Sequence, residues 1–273
     1  MPQAIELSRG ATWLAALTAD ARCASGYPAS VRVVDAPLAG QAARYIAVVP
    51  DPDNRFPRVR KGEVGLVEGW ELARAVREIV AADADRPVKR PIVAVIDVAS
   101  QAYGRREEAC GIHQALAGAA AAYADARLAS HPVIGLIVGK AMSGALLAHG
   151  YQANRLIALD DPQVMVHAMG KAAAARVTLR SVAELEALAA RIPPMAYDVG
   201  SFAALGLLWR LLAVERADAP TGGDLDRVDT CLVEALADIR ADAARDLSGR
   251  LGLAPRRMSK QVRERLRAVW QEG

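Results

Sequence analysis

The sequence predicts an α/β protein built on parallel strands. Short runs rich in β-branched residues recur along the middle of the chain, segments with helical spacing separate them, and no apolar run approaches the ~18 residues of a membrane span. This order of strand, helix and strand is typical of a parallel sheet, because the helical crossover returns the chain to the same edge.

The first half of the chain is expected to contain two strands and three helices. Residues 1–40 mix Pro, Gly and small residues without a clean period, so they are predicted to form an N-terminal extension with one short helix at 11–22. The later elements are a strand at 42–49 that Pro50 ends, a helix at 66–82, a strand at 91–96 and a long alanine-rich helix at 106–128.

The second half is expected to continue the sheet and then to become helical. Strands are predicted at 133–138, 155–159 and 164–167, with a short helix at 143–153. From about residue 181 onward the predicted helices are 181–191, 197–212 and 225–247. The whole chain, 1–273, is therefore predicted to be one α/β domain with a mostly helical C-terminal segment at 213–273.

Composition argues against several classes of function. The 34 basic and 31 acidic residues leave a net charge of +3, and only 4% of residues are aromatic, so nucleic acid is not an expected partner. Cys23, Cys110 and Cys231 are odd in number and far apart, which favours a reducing compartment over a disulfide framework. The four histidines lack the HxH or HExxH spacing of a metal site. Without a signal-peptide pattern, a cytoplasmic protein is expected.

The most informative segment runs from Gly139 to Ala145. A predicted strand ends at Gly139, a turn of small residues follows, and a helix begins near Ser143. Amides in a first helical turn have no internal partner and favour anions, so this turn is a candidate site for a carboxylate or an oxyanion. The alternative is a tight turn packed beneath a helix. The catalytic candidates are Gly139, Ala141, Met142, Ser143, Gly144 and Ala145.

A second candidate segment follows the preceding strand, from Asp97 to Glu108. The carboxyl ends of parallel strands are where ligands bind in open sheets, so the two segments are expected to build one pocket. Glu107 and Glu108 are interpreted as first-turn residues that stabilise a helix. The predicted substrate-binding residues are Gln101, Tyr103, Gly104, Lys140 and His167, the last at a predicted strand end.

The C-terminal segment is rich in basic residues, from Arg250 to Arg267. We interpret them as a solvated helix face. The alternative is a docking surface for an acidic partner.

Three stretches of the sequence resemble the γ-subunit family of biotin-independent malonate decarboxylase. They are NRFPRVRKGEVGLVEGWELARAVREIV, RIPPMAYDVGSFAALGLLW and the stretch that begins PVIGLIVGKAMSGALLAHG. The family is similar to the carboxyltransferase subunits of biotin-dependent carboxylases. This resemblance implies a crotonase-like (ClpP/crotonase) fold of stacked ββα units.

The resemblance also implies an activity and partners. Members pair with a homologous β subunit and decarboxylate a malonyl thioester on a small acyl-carrier subunit, which a transferase subunit recharges. No cofactor bound by this chain is implied, since the thioester is carried on the carrier's phosphopantetheine-like arm.

The motifs of the relatives differ from this sequence at several positions. The segment from Gly139 to Ala145 falls where the carboxyltransferases carry a glycine-rich oxyanion turn, with Ala145 in place of a glycine. Gln101 lies in a segment that replaces a Pro-Gly turn. Our hypothesis is that the 139–145 turn positions the malonyl carboxylate and the departing CO2, with Ser143 and Gln101 as polar contacts and either His167 or Tyr103 as proton donor.

Three alternatives stay open at this point. The chain is also compatible with a carboxyltransferase subunit of a biotin-dependent carboxylase, with a structural subunit that contributes no groups to the site, and with a crotonase-type enzyme that works alone. Met169 replaces the glutamate of many crotonase relatives, which argues against the last, because hydratase chemistry needs carboxylates.

Overall fold

The computed structural model describes residues 8–244, 246–250 and 253–272. The strands in these residues are β1 (Val31–Leu38), β2 (Gln41–Val48), β3 (Ile92–Val98), β4 (Val133–Met142), β5 (Arg155–Asp160), β6 (Met165–His167) and β7 (Arg210–Ala213). The α-helices are α1 (Arg9–Leu17), α2 (Leu66–Ala82), α3 (Arg105–Ala109), α4 (Ile112–Leu128), α5 (Ser143–Ala148), α6 (Lys171–Val177), α7 (Val182–Ala189), α8 (Val199–Ala204), α9 (Gly222–Ala241) and α10 (Arg257–Glu272).

The strands form one sheet in the order β1-β2-β3-β4-β5-β7, and β6 also pairs with β4. Only β1 and β2 pair antiparallel, while every other pair is parallel. The prediction of a parallel α/β sheet is therefore confirmed. Its core includes the fully buried β-branched residues of β3 and β4, the inward-facing residues of α2 and α4, and buried residues of β1, β2, β5, α1 and α9.

Strand β4 runs past its predicted end at 138–139, to Met142. Its first part pairs with β5, from Ile134 to Ile137, and its last part pairs with β6, from Lys140 to Met142. The expected turn of small residues after Gly139 is therefore wrong. The strand continues because a second partner replaces the first, and residue spacing within one strand does not reveal that exchange.

Two predicted helices are interrupted by glycine in the left-handed region. The helix at 106–128 is divided at Gly111 (φ 78°) into α3 and α4. The single helix predicted at 197–212 is wrong, because α8 ends at Ala204, Gly206 (φ 73°) redirects the chain, and β7 joins the sheet beside β5. Glycine adopts positive φ without steric cost, which explains both interruptions.

The described part of the segment predicted as an N-terminal extension, 8–40, contributes a helix and an edge strand to the fold, whereas residues 1–7 lie outside the described residues. The strand β1 was not predicted, and α1 covers 9–17 instead of 11–22. Trp13 of α1 is fully buried, and its indole Nε1–H donates a hydrogen bond to the carbonyl of Ala217 (2.8 Å). The first described residues therefore pack against the same core as the C-terminal half.

Helix α10 lies exposed on the surface. Its exposed residues include apolar as well as basic side chains, namely Met258, Val262, Leu266, Val269 and Trp270. Arg250 does not belong to this surface, because its guanidinium donates hydrogen bonds to the carbonyls of Tyr151 and Ala153. None of the described helices is both long and apolar enough to cross a membrane.

Asp83, at the end of α2, forms a buried ion pair. Its side chain is fully buried and accepts hydrogen bonds from the backbone N–H (2.9 Å) and Nε–H (2.8 Å) of Arg90. Burial alone would raise the pKa of Asp83, but the hydrogen bonds from Arg90 outweigh burial and lower it to about 2.

We expect Asp83→Asn to lower the free energy of unfolding by about 2 kcal/mol at neutral pH. Because the pKa of Asp83 is depressed in the folded state, its contribution is present above the ordinary pKa of 3.8 and disappears as pH falls towards about 2. Denaturant unfolding across this range is the measurement. The exposed Asp53→Asn is the matched control, and a difference that persisted at the lowest pH would contradict the ion-pair explanation.

Candidate functional site

The two candidate segments meet at the carboxyl ends of β3 and β4. The Oε1 atom of Gln101 accepts hydrogen bonds from the amide N–H of Gly144 (3.0 Å) and from the hydroxyl of Ser143 (3.3 Å). The expectation that parallel strand ends bring these segments together is thus met for Gln101, Ser143 and Gly144.

Ser143 is the junction between β4 and α5. It follows the strand directly and has a φ of 60°, in the left-handed region that residues other than glycine rarely adopt. Such a conformation persists only where surrounding contacts impose it. The hydrogen bonds to Gln101 are contacts of this kind.

A cavity of about 410 Å³ lies beside Ser143 and Gly144, and we call it the apolar cavity. His167 lines it as well. The other lining residues are Leu146, Leu147, Tyr151, Val166, Ala168, Pro193, Pro194, Ala196, Phe202 and Leu205. The wall is thus mostly hydrocarbon, with few polar groups.

His167 ends β6 at the edge of the apolar cavity. Its Nδ1 lies 3.0 Å from the carbonyl oxygen and 3.2 Å from the amide nitrogen of Met169, so the backbone engages this nitrogen, whereas Nε2 has no hydrogen bond to a described residue. Tyr197 stacks on the imidazole with a centroid distance of 3.9 Å. Burial lowers the pKa of His167 from its usual 6.5, and the Met169 carbonyl only partly offsets this.

Gly139 and Lys140 face a different cavity of about 440 Å³, the polar cavity, which Arg9, Lys61 and Asp97 also line. The carboxylate of Asp97 accepts the amide N–H of Lys140 (3.0 Å). A Cβ on Gly139 would lie 2.2 Å from the same carboxylate, so glycine is needed here for an internal contact.

Comparison with known proteins assigns the family. The sequence profile described as malonate decarboxylase gamma subunit matches residues 59–270. The chain belongs to this family. It is also 30% identical to the malonyl-S-ACP:biotin-protein carboxyltransferase MADD of Malonomonas rubra, over 80% of this chain and 74% of the relative.

Solved structures agree with the assignment. A chain of the Pseudomonas malonate decarboxylase hetero-tetramer in complex with coenzyme A is 66% identical, with a TM-score of 0.93, over 96% of this gamma subunit and 100% of that chain. A chain of the Pseudomonas MdcD-MdcE hetero-dimer is 65% identical, with a TM-score of 0.89 and the same coverage. The transcarboxylase 12S core, at 20% identity and a TM-score of 0.60, covers 81% of this chain and 37% of that one, and shares the fold. The predicted carboxyltransferase branch of the crotonase-like fold is confirmed.

The remaining predicted residues of this gamma subunit lie away from both cavities. Ala141 and Ala145 are fully buried, and Met142 packs with Tyr197 in a small apolar cluster. Tyr103 is 55% exposed, and Gly104 precedes α3 beside the carboxylate of Glu107. Among the described residues, His, Cys, Asp and Glu form no group of three or more that could hold a metal ion.

Sequence patterns did not single out the far wall of the apolar cavity. It is formed around Pro193 and Pro194, which lie between the helices predicted at 181–191 and 197–212, and Phe202, which lies in the second of them. The Pro-Pro dipeptide was the available signal, because it interrupts a helix. No local pattern marks the stacking of Tyr197 on His167, since the two residues are 30 positions apart in the sequence.

Proposed function

We propose that this gamma subunit works with a β subunit to decarboxylate a malonyl thioester carried on a small acyl-carrier subunit, giving an acetyl thioester and CO2. Membership of the gamma-subunit family supports this proposal. The 65% identity to a chain of the Pseudomonas MdcD-MdcE hetero-dimer also supports it. A transferase subunit that recharges the carrier completes the proposed cycle, and the thioester arm of the carrier, not a cofactor of this chain, presents the substrate.

The main structural support for this proposal is the apolar cavity beside Ser143, Gly144 and His167. The malonyl carboxylate enters this cavity. The C–C bond to the carboxylate then breaks, CO2 leaves, and the electron pair forms an enolate on the thioester. The β subunit binds the thioester arm and stabilises the enolate oxygen.

The mostly hydrocarbon wall favours this reaction for a physical reason. A carboxylate loses hydration when it enters such a cavity, whereas the departing CO2 is neutral and needs none. The charge moves towards the thioester oxygen, outside the apolar cavity. The transition state is therefore less disfavoured by the wall than the bound carboxylate.

Protonation of the enolate carbon completes the reaction. Of the two predicted donors, His167 lines the apolar cavity and Tyr103 does not. We assign the proton to Nε2 of His167, the ring nitrogen that the backbone of Met169 leaves unengaged. Lys140, exposed at the polar cavity, stays a predicted substrate-binding residue that could contact an anion.

The decisive experiment measures CO2 release from a malonyl thioester by this chain, by its β partner and by the purified pair. Activity of the pair alone is expected. Activity of the β partner by itself, unchanged by this chain, would reduce the gamma subunit to a structural role.

A second candidate function is carboxyl transfer to a biotin protein, which the similarity to MADD favours. Both reactions begin with the same C–C cleavage, and they differ in whether the carboxyl group leaves as CO2 or is transferred to biotin. Full CO2 release by the pair without biotin supports decarboxylation. Conversion of the malonyl to the acetyl thioester that depends on an added biotin-carrier protein, with the carboxyl group recovered on biotin, supports transfer.

We expect Gly144→Leu to lower kcat by about 100-fold in the assembled pair, a cost typical of misplacing a reacting group by about 1 Å. A Cβ at this position would lie 2.1 Å from Oε1 of Gln101, so the side chain would displace Gln101 and shift the cavity wall. Steady-state kinetics measure the effect, with co-purification as the check on assembly. Gly222→Leu, where the added Cβ meets open space, is the control. Normal turnover by an assembled Gly144→Leu pair would remove this segment from the site.

A further inference from the structure

Gln101 occupies the two hydrogen-bond donors that its neighbours bring to the apolar cavity. Its Oε1 accepts from both the Gly144 amide and the Ser143 hydroxyl. Apart from Tyr151 and His167, the other residues of the cavity wall have apolar side chains. A carboxylate in this cavity therefore finds the donors of Ser143 and Gly144 already committed.

The backbone around Gln101 is held in place by Val64. The Val64 amide donates to the carbonyl of Ser100 (3.0 Å), and its carbonyl accepts from the amide of Ala102 (2.8 Å), which forms a parallel bridge at Gln101. Val64 and Ala102 are both fully buried. The Gln101 side chain thus extends from a fixed backbone.

Two unusual local features accommodate this arrangement. Ser143 adopts a left-handed conformation, and residue 144 lacks a Cβ at the point where one would lie 2.1 Å from Oε1 of Gln101. Both features maintain the contact with Gln101. This explains the glycine at 144 by an internal contact and not by direct approach of a substrate.

We propose that Gln101 is a positioning residue that withholds the Ser143 and Gly144 donors from the malonyl carboxylate. The inference rests on the proposed function, in which that carboxylate enters the apolar cavity. A carboxylate without these hydrogen bonds is bound less tightly, whereas neutral CO2 loses nothing by their absence. Gln101 thereby raises the rate of C–C cleavage at the expense of substrate affinity.

The test is a comparison of kcat and KM in the assembled pair. Gln101→Met removes the acceptor at similar length and frees both donors. We expect kcat and KM for the malonyl thioester to fall together, each by about 10-fold, because a released donor stabilises the bound carboxylate. A higher KM would show that Gln101 contacts substrate directly, and unchanged constants would show that it has no role. Either result overturns the inference.

A stable probe separates binding from chemistry. In a sulfonate analogue of the malonyl thioester, the anion cannot leave as CO2. We expect the analogue to bind the Gln101→Met pair about 10-fold more tightly than the unmodified pair in calorimetric titration. Equal or weaker binding overturns the inference. Adding Ser143→Ala to Gln101→Met removes one freed donor and is expected to reverse part of the gain.

Two further variants control for misfolding and for nonspecific effects of the Gln→Met change. Gln101→Asn withdraws the acceptor by one methylene with a smaller change in packing, and it carries the same expectation if the Met variant fails to assemble. Gln114→Met, at an exposed position of α4, is the matched control. Failure of the unmodified pair to release CO2 would refute the proposed function. Normal CO2 release by the unmodified pair, together with Gln101 variants whose kcat and KM are unchanged, refutes only this inference.

Discussion

His167→Gln is expected to lower kcat for decarboxylation by about 100-fold, at the lower end of what general acid catalysis contributes. The imidazole lines the apolar cavity and its Nε2 has no hydrogen-bond partner among the described residues, so its loss leaves the enolate carbon without a positioned donor. Single-turnover measurements that follow CO2 release and acetyl thioester formation separately will show which step slows.

The pH dependence provides an independent check on His167. Burial places the pKa of His167 below 6.5, so the protonated ring is lost as pH rises through this lowered pKa. Protonation of the enolate carbon by the unmodified pair should therefore slow as pH rises above the pKa of His167. The His167→Gln pair should not show this decrease in rate with pH.

Two other residues serve as comparisons for His167. The exposed His113→Gln is the matched control, and Tyr103→Phe tests the other predicted donor. A large loss with Tyr103→Phe and none with His167→Gln would transfer the donor role to Tyr103.

Gly69→Ala should destabilise the fold by about 1–3 kcal/mol, the cost of overpacking a close contact. Gly69 lies where α2 packs on α4, and an added Cβ would be 2.8 Å from the backbone carbonyl of Ala115. Because that carbonyl belongs to the backbone of α4 and cannot rotate away as a side chain can, relief requires the two helices to separate. Thermal unfolding of the purified protein measures the change.

A glycine in another helix makes the comparison specific. At Gly223 in α9, a Cβ would meet only the hydroxyl of Thr221 at 3.8 Å. Gly223→Ala should leave stability unchanged or raise it by up to about 1 kcal/mol, because alanine favours helix. If both variants behaved alike, the close α2–α4 contact would not be the cause.

Periodicity located most of the sheet because burial on both faces leaves a local signature. The runs at β3 and β4 are almost entirely apolar, as strands covered on both faces must be. The edge strands β1 and β7 were missed or misassigned because they are not buried on both faces and therefore lack that signature. In β1 the exposed Asp35 and Pro37 interrupt the apolar run, and β7 has only four half-buried or exposed residues.

The site was predicted in part. Placing Gln101, Ser143 and Gly144 together followed from strand order, because parallel strands end at one edge. Their chemical state did not follow. The prediction that amides of this segment await a ligand missed that Lys140 donates to Asp97 and Gly144 to Gln101.

Local residue order was enough to specify the strand and helix alternation and the glycine-rich character of the segment at the end of β4, because propensity and burial act over a few neighbouring positions. The fully folded chain specified which donors are free. The acceptor for Ser143 lies 42 positions away in the chain, and the left-handed conformation of Ser143 exists beside that acceptor. Hydrogen bonds between distant segments depend on how strands and loops pack in three dimensions, which no pattern within one segment encodes.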